Sequence, residues 1–179
     1  MASTWTTVLG EDIYGFESRR DTQTDSMLLL GQGLTYGPLV YGGDWKSGFG
    51  YPVNDWSDPF IGEYVCDSGA YSGEVCPTRV AATDSFINGS DGGTGPGYVT
   101  ENSSIDYHGS AGEGDSGGAS FTVRGDAVIA TGMIVAGYID SQAPCSPGAM
   151  EMPRLCFHTV FHNNIEAVAD ALDVTPMTR

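Results

Sequence analysis

Apolar residues in this chain come in short runs, and glycine, serine, threonine, aspartate and proline interrupt them throughout. Such interruptions do not sustain the 3.6-residue period of a core-facing helix, whereas short runs bounded by turn residues suit strands. The sequence therefore predicts an all-β fold, and 179 residues are enough to bury one full core. Strands are expected over residues 3–9, around 13–16, over 26–30, 64–66, 74–80, 121–123, 128–138 and 155–161. Residues 31–59, with Tyr36, Tyr41, Trp45, Phe49, Tyr51 and Trp56 among many glycines, read as a long connection. Residues 84–100 read as a glycine-rich loop followed by a short strand. The exception to the β pattern is residues 163–172. There Ile165, Val168, Ala169 and Leu172 fall on one helical face, Asn163 or Asn164 can cap the start, and Thr175-Pro176 stops the chain from continuing.

Seven basic residues against 23 acidic ones give a net charge of −16. That charge repels phosphates, so neither nucleic acid nor an anionic membrane surface is an expected partner. No apolar run is long enough to span a bilayer as a helix, and the most apolar stretch, residues 127–138, is broken by Thr131 and Gly132. Residues 1–20 carry no signal-peptide core, so the targeting signal and pro-segment of a secreted protein would lie outside this chain. The four cysteines, Cys66, Cys76, Cys145 and Cys156, allow three pairings. The local one, Cys66–Cys76 with Cys145–Cys156, is expected, each bridge stabilising by about 3 kcal/mol in the chain-entropy picture. Paired cysteines imply an oxidising compartment. No C-x-x-C pair supports a zinc site, and neither a metal nor a cofactor is expected. Asn88 and Asn102 open N-x-Ser sequons.

The chemistry concentrates in Gly114-Asp115-Ser116-Gly117-Gly118. A serine hydroxyl is a weak nucleophile until a base takes its proton and backbone N–H groups stabilise the oxyanion that forms. Flanking glycines let the chain turn tightly and bring those donors close to a carbonyl. Upstream, Thr24-Asp25-Ser26 leads into an apolar strand, where a carboxylate can be held against an imidazole and fix its tautomer. A strand-opening turn is the commoner role for such an aspartate. Between the two lies Cys66-Asp67-Ser68-Gly69-Ala70-Tyr71-Ser72-Gly73-Glu74-Val75-Cys76.

In this order, the three segments resemble the secreted bacterial chymotrypsin-like serine endopeptidases of the streptogrisin and alpha-lytic protease group. The resemblance covers nearly the whole chain, most weakly residues 31–59. It implies two antiparallel β-barrels with a cleft between them, Ser116 as nucleophile, the amides of Gly114 and Ser116 as oxyanion hole, and Asp25 as the third triad member. The first barrel is incomplete here. The expected division is a first-barrel remnant over 1–45, a linker over 46–60, the second barrel over 61–162 and a C-terminal helix over 163–173. The implied function is peptide-bond hydrolysis by a monomeric, secreted enzyme acting on peptides or proteins.

The sequence departs from that pattern in several places. The family's catalytic histidine lies upstream of the segment matched by residues 3–9, and no histidine precedes Asp25. The expectation is a chain that begins just after that motif and is nearly inactive as it stands. The alternative is a non-catalytic relative that binds peptides. His108, His158 and His162 read as structural. Where the family often carries an arginine that pairs with the residue equivalent to Asp115, this chain has Asp67. Asp115 therefore needs another cation, with Arg79, Arg154 or a free amino terminus as candidates. The pocket-edge segment matches Val135-Ala136-Gly137, with valine in place of serine. Ser110 falls at the expected pocket floor and suits apolar or aromatic side chains, while Glu113 stands at the mouth.

Overall fold

The computed structural model describes residues 4–6, 13–31, 33, 35–46, 48–89, 92–102 and 107–179. Parts of the expected first strand and of the turn after it, the tip of the glycine-rich segment and portions of both sequons lie outside these residues. Strands β1 (Thr4–Thr6), β2 (Ile13–Asp21) and β3 (Ser26–Gly31) form an antiparallel sheet in that order. They are followed by β4 (Leu39–Gly43), β5 (Gly48–Trp56), β6 (Tyr64–Gly69), β7 (Gly73–Gly89) and β8 (Gly92–Asn102). Then come β9 (Ala111–Gly112), β10 (Ala119–Arg124), β11 (Ala127–Gly137), β12 (Gln142–Ala143), β13 (Cys156–Phe157), β14 (Thr159–Asn164) and helix α1 (Ile165–Leu172).

The larger sheet runs β10-β6-β7-β8-β14-β11, and a β10–β11 pairing closes it into a six-stranded barrel. Closure works because β11 changes partners along its length. Its first half pairs with β10 and its second half with β14. Val65, Val80 and Tyr98 pack on one side of the interior, and Phe121 and Val128 with Val53 and Cys66 on another. The expected disulfides both form, Cys66–Cys76 tying β6 to β7 and Cys145–Cys156 holding the segment before β13.

Two segments differ from the sequence reading. Residues 31–59 are not a plain connection, because β4 and β5 form a hairpin that joins the barrel sheet by parallel pairing of β5 with β11. The glycines that suggested a loop instead make room for rings across the hairpin. A Cβ on Gly48 would lie 2.0 Å from the Tyr41 ring, and one on Gly42 2.4 Å from that of Tyr51. Residues 84–89 and 92–100, expected as a glycine-rich loop before a short strand, are instead strand throughout, part of a long β7–β8 pair whose three register shifts absorb the irregular residues.

Helix α1 starts two residues later than expected, and Asn163 and Asn164 belong to β14. Asn164 does stand at the N-cap position, as one of the two residues expected there, but neither asparagine side chain caps the helix. Asp58 does so from a distant loop, accepting from the Glu166 amide (3.2 Å) and from Asn164 Nδ2 (2.8 Å). Burial, with Glu166 and Asp84 nearby, holds the Asp58 carboxyl above the usual carboxylate range. Val168, Ala169 and Leu172 form the buried face, as the periodicity requires. The far end of α1 holds the small sheet, since Arg19 of β2 donates to the Leu172 carbonyl and pairs with Asp173 at 3.3 Å. No helix among the described residues is long and apolar enough to cross a membrane.

Candidate active site

Ser116 is exposed at the tip of the turn between β9 and β10, and its Oγ donates to the Val135 carbonyl at 3.2 Å. The turn is fixed by its backbone. The Gly117 amide donates to the Ile134 carbonyl and the Gly118 amide to that of Asp115. Gly114 and Gly117 have φ of +91° and +83°, in the left-handed region where a side chain is disfavoured. At Gly114 there is a second reason for glycine, because a Cβ would fall 2.2 Å from the Tyr71 ring. Among the described residues, the Gly114 and Ser116 amides donate to no protein acceptor.

Asp115 points the other way, into the protein, and is 1% exposed. Its Oδ1 accepts from the amides of Tyr71 (2.8 Å) and Ser72 (3.0 Å). Its Oδ2 accepts from Ser72 Oγ (2.6 Å), the Gly112 amide (2.8 Å) and Arg154 Nη1 (3.0 Å). The needed cation is thus Arg154, itself buried, which also donates to the Glu113 carbonyl and to Ser72 Oγ. Asp67 is fully buried and turned elsewhere, with its Oδ1 2.7 Å from Nε2 of the equally buried His162. The Tyr98 ring stacks on that imidazole at 4.8 Å.

Asp25 closes the Thr22–Asp25 turn between β2 and β3 and leads directly into β3, the apolar strand expected after it. Its φ of 44° is a left-handed value that aspartate tolerates. The turn is braced locally, as Asp21 Oδ1 accepts from the Thr24 amide (2.7 Å) and from Thr24 Oγ1 (2.9 Å). Those bonds hold the Asp21 carboxyl below its usual range. The turn is also tied to the barrel. The Gln23 carbonyl accepts from the Gly95 amide (2.9 Å) and Thr94 Oγ1 (2.8 Å), and the Thr24 carbonyl from Asn163 Nδ2.

These anchors set Asp25 and Ser116 on one cleft of 560 Å³, together with Arg20, Met27, Leu29 and Met133. Two further hollows flank the serine. One, of 160 Å³, lies against Ala111, Gly112, Glu113, Ile134, Phe157 and residues 135–137. The expected pocket residues Glu113, Val135, Ala136 and Gly137 therefore line it. Ser110 does not, because it is fully buried behind the wall with Oγ donating to the His158 carbonyl at 3.3 Å. The other hollow, of 570 Å³, lies against Tyr41, Trp45, residues 68–70 and residues 115–118.

A comparison with solved structures finds the same architecture. A glutamic-acid-specific serine protease, described as using a histidine triad in substrate binding, superposes with a TM-score of 0.72 at 20% identity, covering 97% of this chain and 79% of that one. Chymotrypsin of Cellulomonas bogoriensis gives 0.66 at 19% identity, covering 94% and 78%. Protease A of Thermobifida fusca gives 0.65 at 19% identity, covering 92% and 75%. The fold is that of the chymotrypsin-like bacterial serine proteases. No protein-family model and no curated protein matches the sequence.

Within this chymotrypsin-like fold, none of the three histidines lines the cleft or either hollow. His108 Nδ1 lies 3.2 Å from Asn102 Nδ2, His158 Nδ1 lies 2.9 Å from Thr159 Oγ1, and His162 is occupied by Asp67. Sequence reasoning missed Ser72, which bonds Asp115 from 43 positions away, and Tyr71, which shapes the Gly114 turn. The spacing of the Cys66–Cys76 hairpin was the only signal for either, since its tip is where the Asp115 donors arise.

Proposed function

We propose that this chain carries the nucleophile half of a serine endopeptidase and binds an extended peptide across Ser116. The observation that supports this most is the pair of unsatisfied amides, Gly114 and Ser116, beside an exposed serine hydroxyl on a cleft shared with Asp25. Ser116 Oγ attacks the scissile carbonyl as an imidazole oriented by Asp25 takes its proton, the two amides stabilise the oxyanion, the C–N bond breaks as the imidazolium returns that proton to the leaving amine, and water then hydrolyses the acyl ester by the same route. That imidazole has to come from outside these 179 residues. The acyl-side pocket takes an apolar side chain, since it is walled by Ala111, Ile134, Val135 and Phe157 and is about the size of cavities that accept benzene. Glutamate recognition of the kind named for the first neighbour is not proposed. The lining carries the Glu113 carboxylate and no cation, and the histidines are dispersed.

A serine-triad enzyme stripped of its base retains roughly 10³–10⁴-fold over the uncatalysed reaction. The purified chain is therefore expected to cleave a fluorogenic peptide with an apolar residue before the scissile bond only very slowly. Added imidazole is expected to raise that rate in proportion to its concentration, and Ser116→Ala to abolish the rise. A rate indistinguishable from Ser116→Ala at every imidazole concentration would overturn the hydrolytic reading. Binding of the same peptide under those conditions would favour a non-catalytic peptide-binding module, to which the histidine-free cleft also lends support.

A further inference from the structure

The larger hollow beside Ser116 is walled by two aromatic residues from a hairpin that the sequence does not advertise. Tyr41 comes from β4 and Trp45 from the turn joining β4 to β5. Several contacts fix this hairpin against the start of β7 and the loop carrying Gly148, beside the residues that hold the nucleophile loop. The Gly43 amide donates to Glu74 Oε2 at 2.9 Å, and the Trp45 amide to the Gly148 carbonyl at 3.4 Å. Gly73 lies so close to residues 43–45 that a Cβ there would sit 2.7 Å from their backbone. Gly73 directly follows Tyr71 and Ser72, which hold Asp115. Tyr41 is held in turn, with its hydroxyl 2.5 Å from the Asp44 carbonyl. Rings and nucleophile thus share one braced unit, and Tyr41 is 42% exposed, open to a ligand.

The two hollows meet only at Ser116 among their lining residues. If the enclosed apolar one receives the acyl side chain, the leaving-group segment runs over residues 68–70 toward the rings. We infer that Tyr41 and Trp45 form an aromatic-selective subsite for the first two residues after the scissile bond. This inference rests on the peptide-binding reading of Ser116 and names its substrate class, peptides with an aromatic residue on the leaving-group side. The physical basis is ring-on-ring contact, which adds to area burial when rings stack offset or edge to face. Trp45 already carries Lys46 over its face, with Nζ 4.6 Å from the ring centroid. An incoming ring therefore approaches the edge of Trp45 and the open side of Tyr41.

The test is direct binding, which needs no catalysis. Two dye-labelled hexapeptides with leucine before the target bond are titrated against the full chain by fluorescence anisotropy, one with Phe-Ala after that bond and one with Ala-Ala. The aromatic peptide is expected to bind about tenfold tighter. Trp45→Ala and, separately, Tyr41→Ala are expected to reduce that preference while leaving the preference for leucine over glycine before the bond unchanged. This second discrimination reports on the opposite hollow and shows that each variant is folded. Equal binding of the two peptides, or an aromatic preference that survives both substitutions, overturns the subsite. Failure of both peptides to bind at all overturns the peptide-binding reading along with it.

Discussion

Arg154→Met is expected to destabilise the protein by about 3 kcal/mol or more, because it strands a buried carboxylate. The two side chains are 2% and 0% exposed and lie 3.0 Å apart. Water cannot replace the lost cation. Two features set the size of the effect. Asp115 keeps three backbone amides and the Ser72 hydroxyl, so the carboxylate is not abandoned entirely and the lower end of the range for broken buried pairs applies. Arg154 also donates to the Glu113 carbonyl, so its removal loosens two points of the turn just before Ser116. For a chain of this size the melting temperature is expected to fall by roughly 6–12 °C. The contrast is Arg20→Met, which breaks an exposed pair with Glu17 and is expected to shift stability by less than about 1 kcal/mol. A melting temperature for Arg154→Met within 2 °C of the parent, read by calorimetry, would mean that the backbone amides alone sustain Asp115; the ~2 °C threshold is about the shift from 1 kcal/mol or less.

The second large effect belongs to Asp67 and His162. Both are fully buried, their bond is 2.7 Å, and Asp67 Oδ2 and His162 Nδ1 have no other partner among the described residues. Such a pair is costly to break and of little net value to keep. Asp67→Leu and His162→Phe are each expected to cost about 3 kcal/mol, the first by leaving a buried imidazole without its acceptor. The double replacement Asp67→Leu with His162→Phe keeps a ring against Tyr98 and removes both polar groups. It is expected to recover stability to within about 1 kcal/mol of the parent. Denaturant unfolding of the four proteins gives the coupling directly. Additive losses in the double variant would show that the two groups do not act as a pair.

What the sequence revealed follows from how local each signal was. The Gly114–Gly118 turn, the Cys66–Cys76 and Cys145–Cys156 bridges and the amphipathic face of α1 are all specified within about a dozen residues, and each was legible. The Asp67–His162 pair was not, because its partners are 95 positions apart and meet only through barrel closure. Arg154 could be named only as one of several candidates for Asp115, since the length of the loop it sits on does not reveal its direction. The β4–β5 hairpin was hidden by its own glycines, which read as flexibility until the rings opposite them are seen to need the space. Asp25 was singled out by its neighbours in sequence, but its position on the cleft depends on Thr94, Gly95 and Asn163, none of which signals that role. The helix cap from Asp58 fails the local rule for the same reason, since the acceptor arrives from another part of the chain.

The central claim is that Ser116 and the amides of Gly114 and Ser116 address a single carbonyl. A crystal structure of the chain with a peptide boronic acid carrying a leucine-like side chain tests it most directly. The account predicts a bond from boron to Ser116 Oγ, one boronate oxygen about 2.7–3.1 Å from both amide nitrogens, and the side chain in the hollow beside Phe157. A boronate oxygen facing solvent, with either amide turned away from it, or boron bound to any other residue, would contradict it.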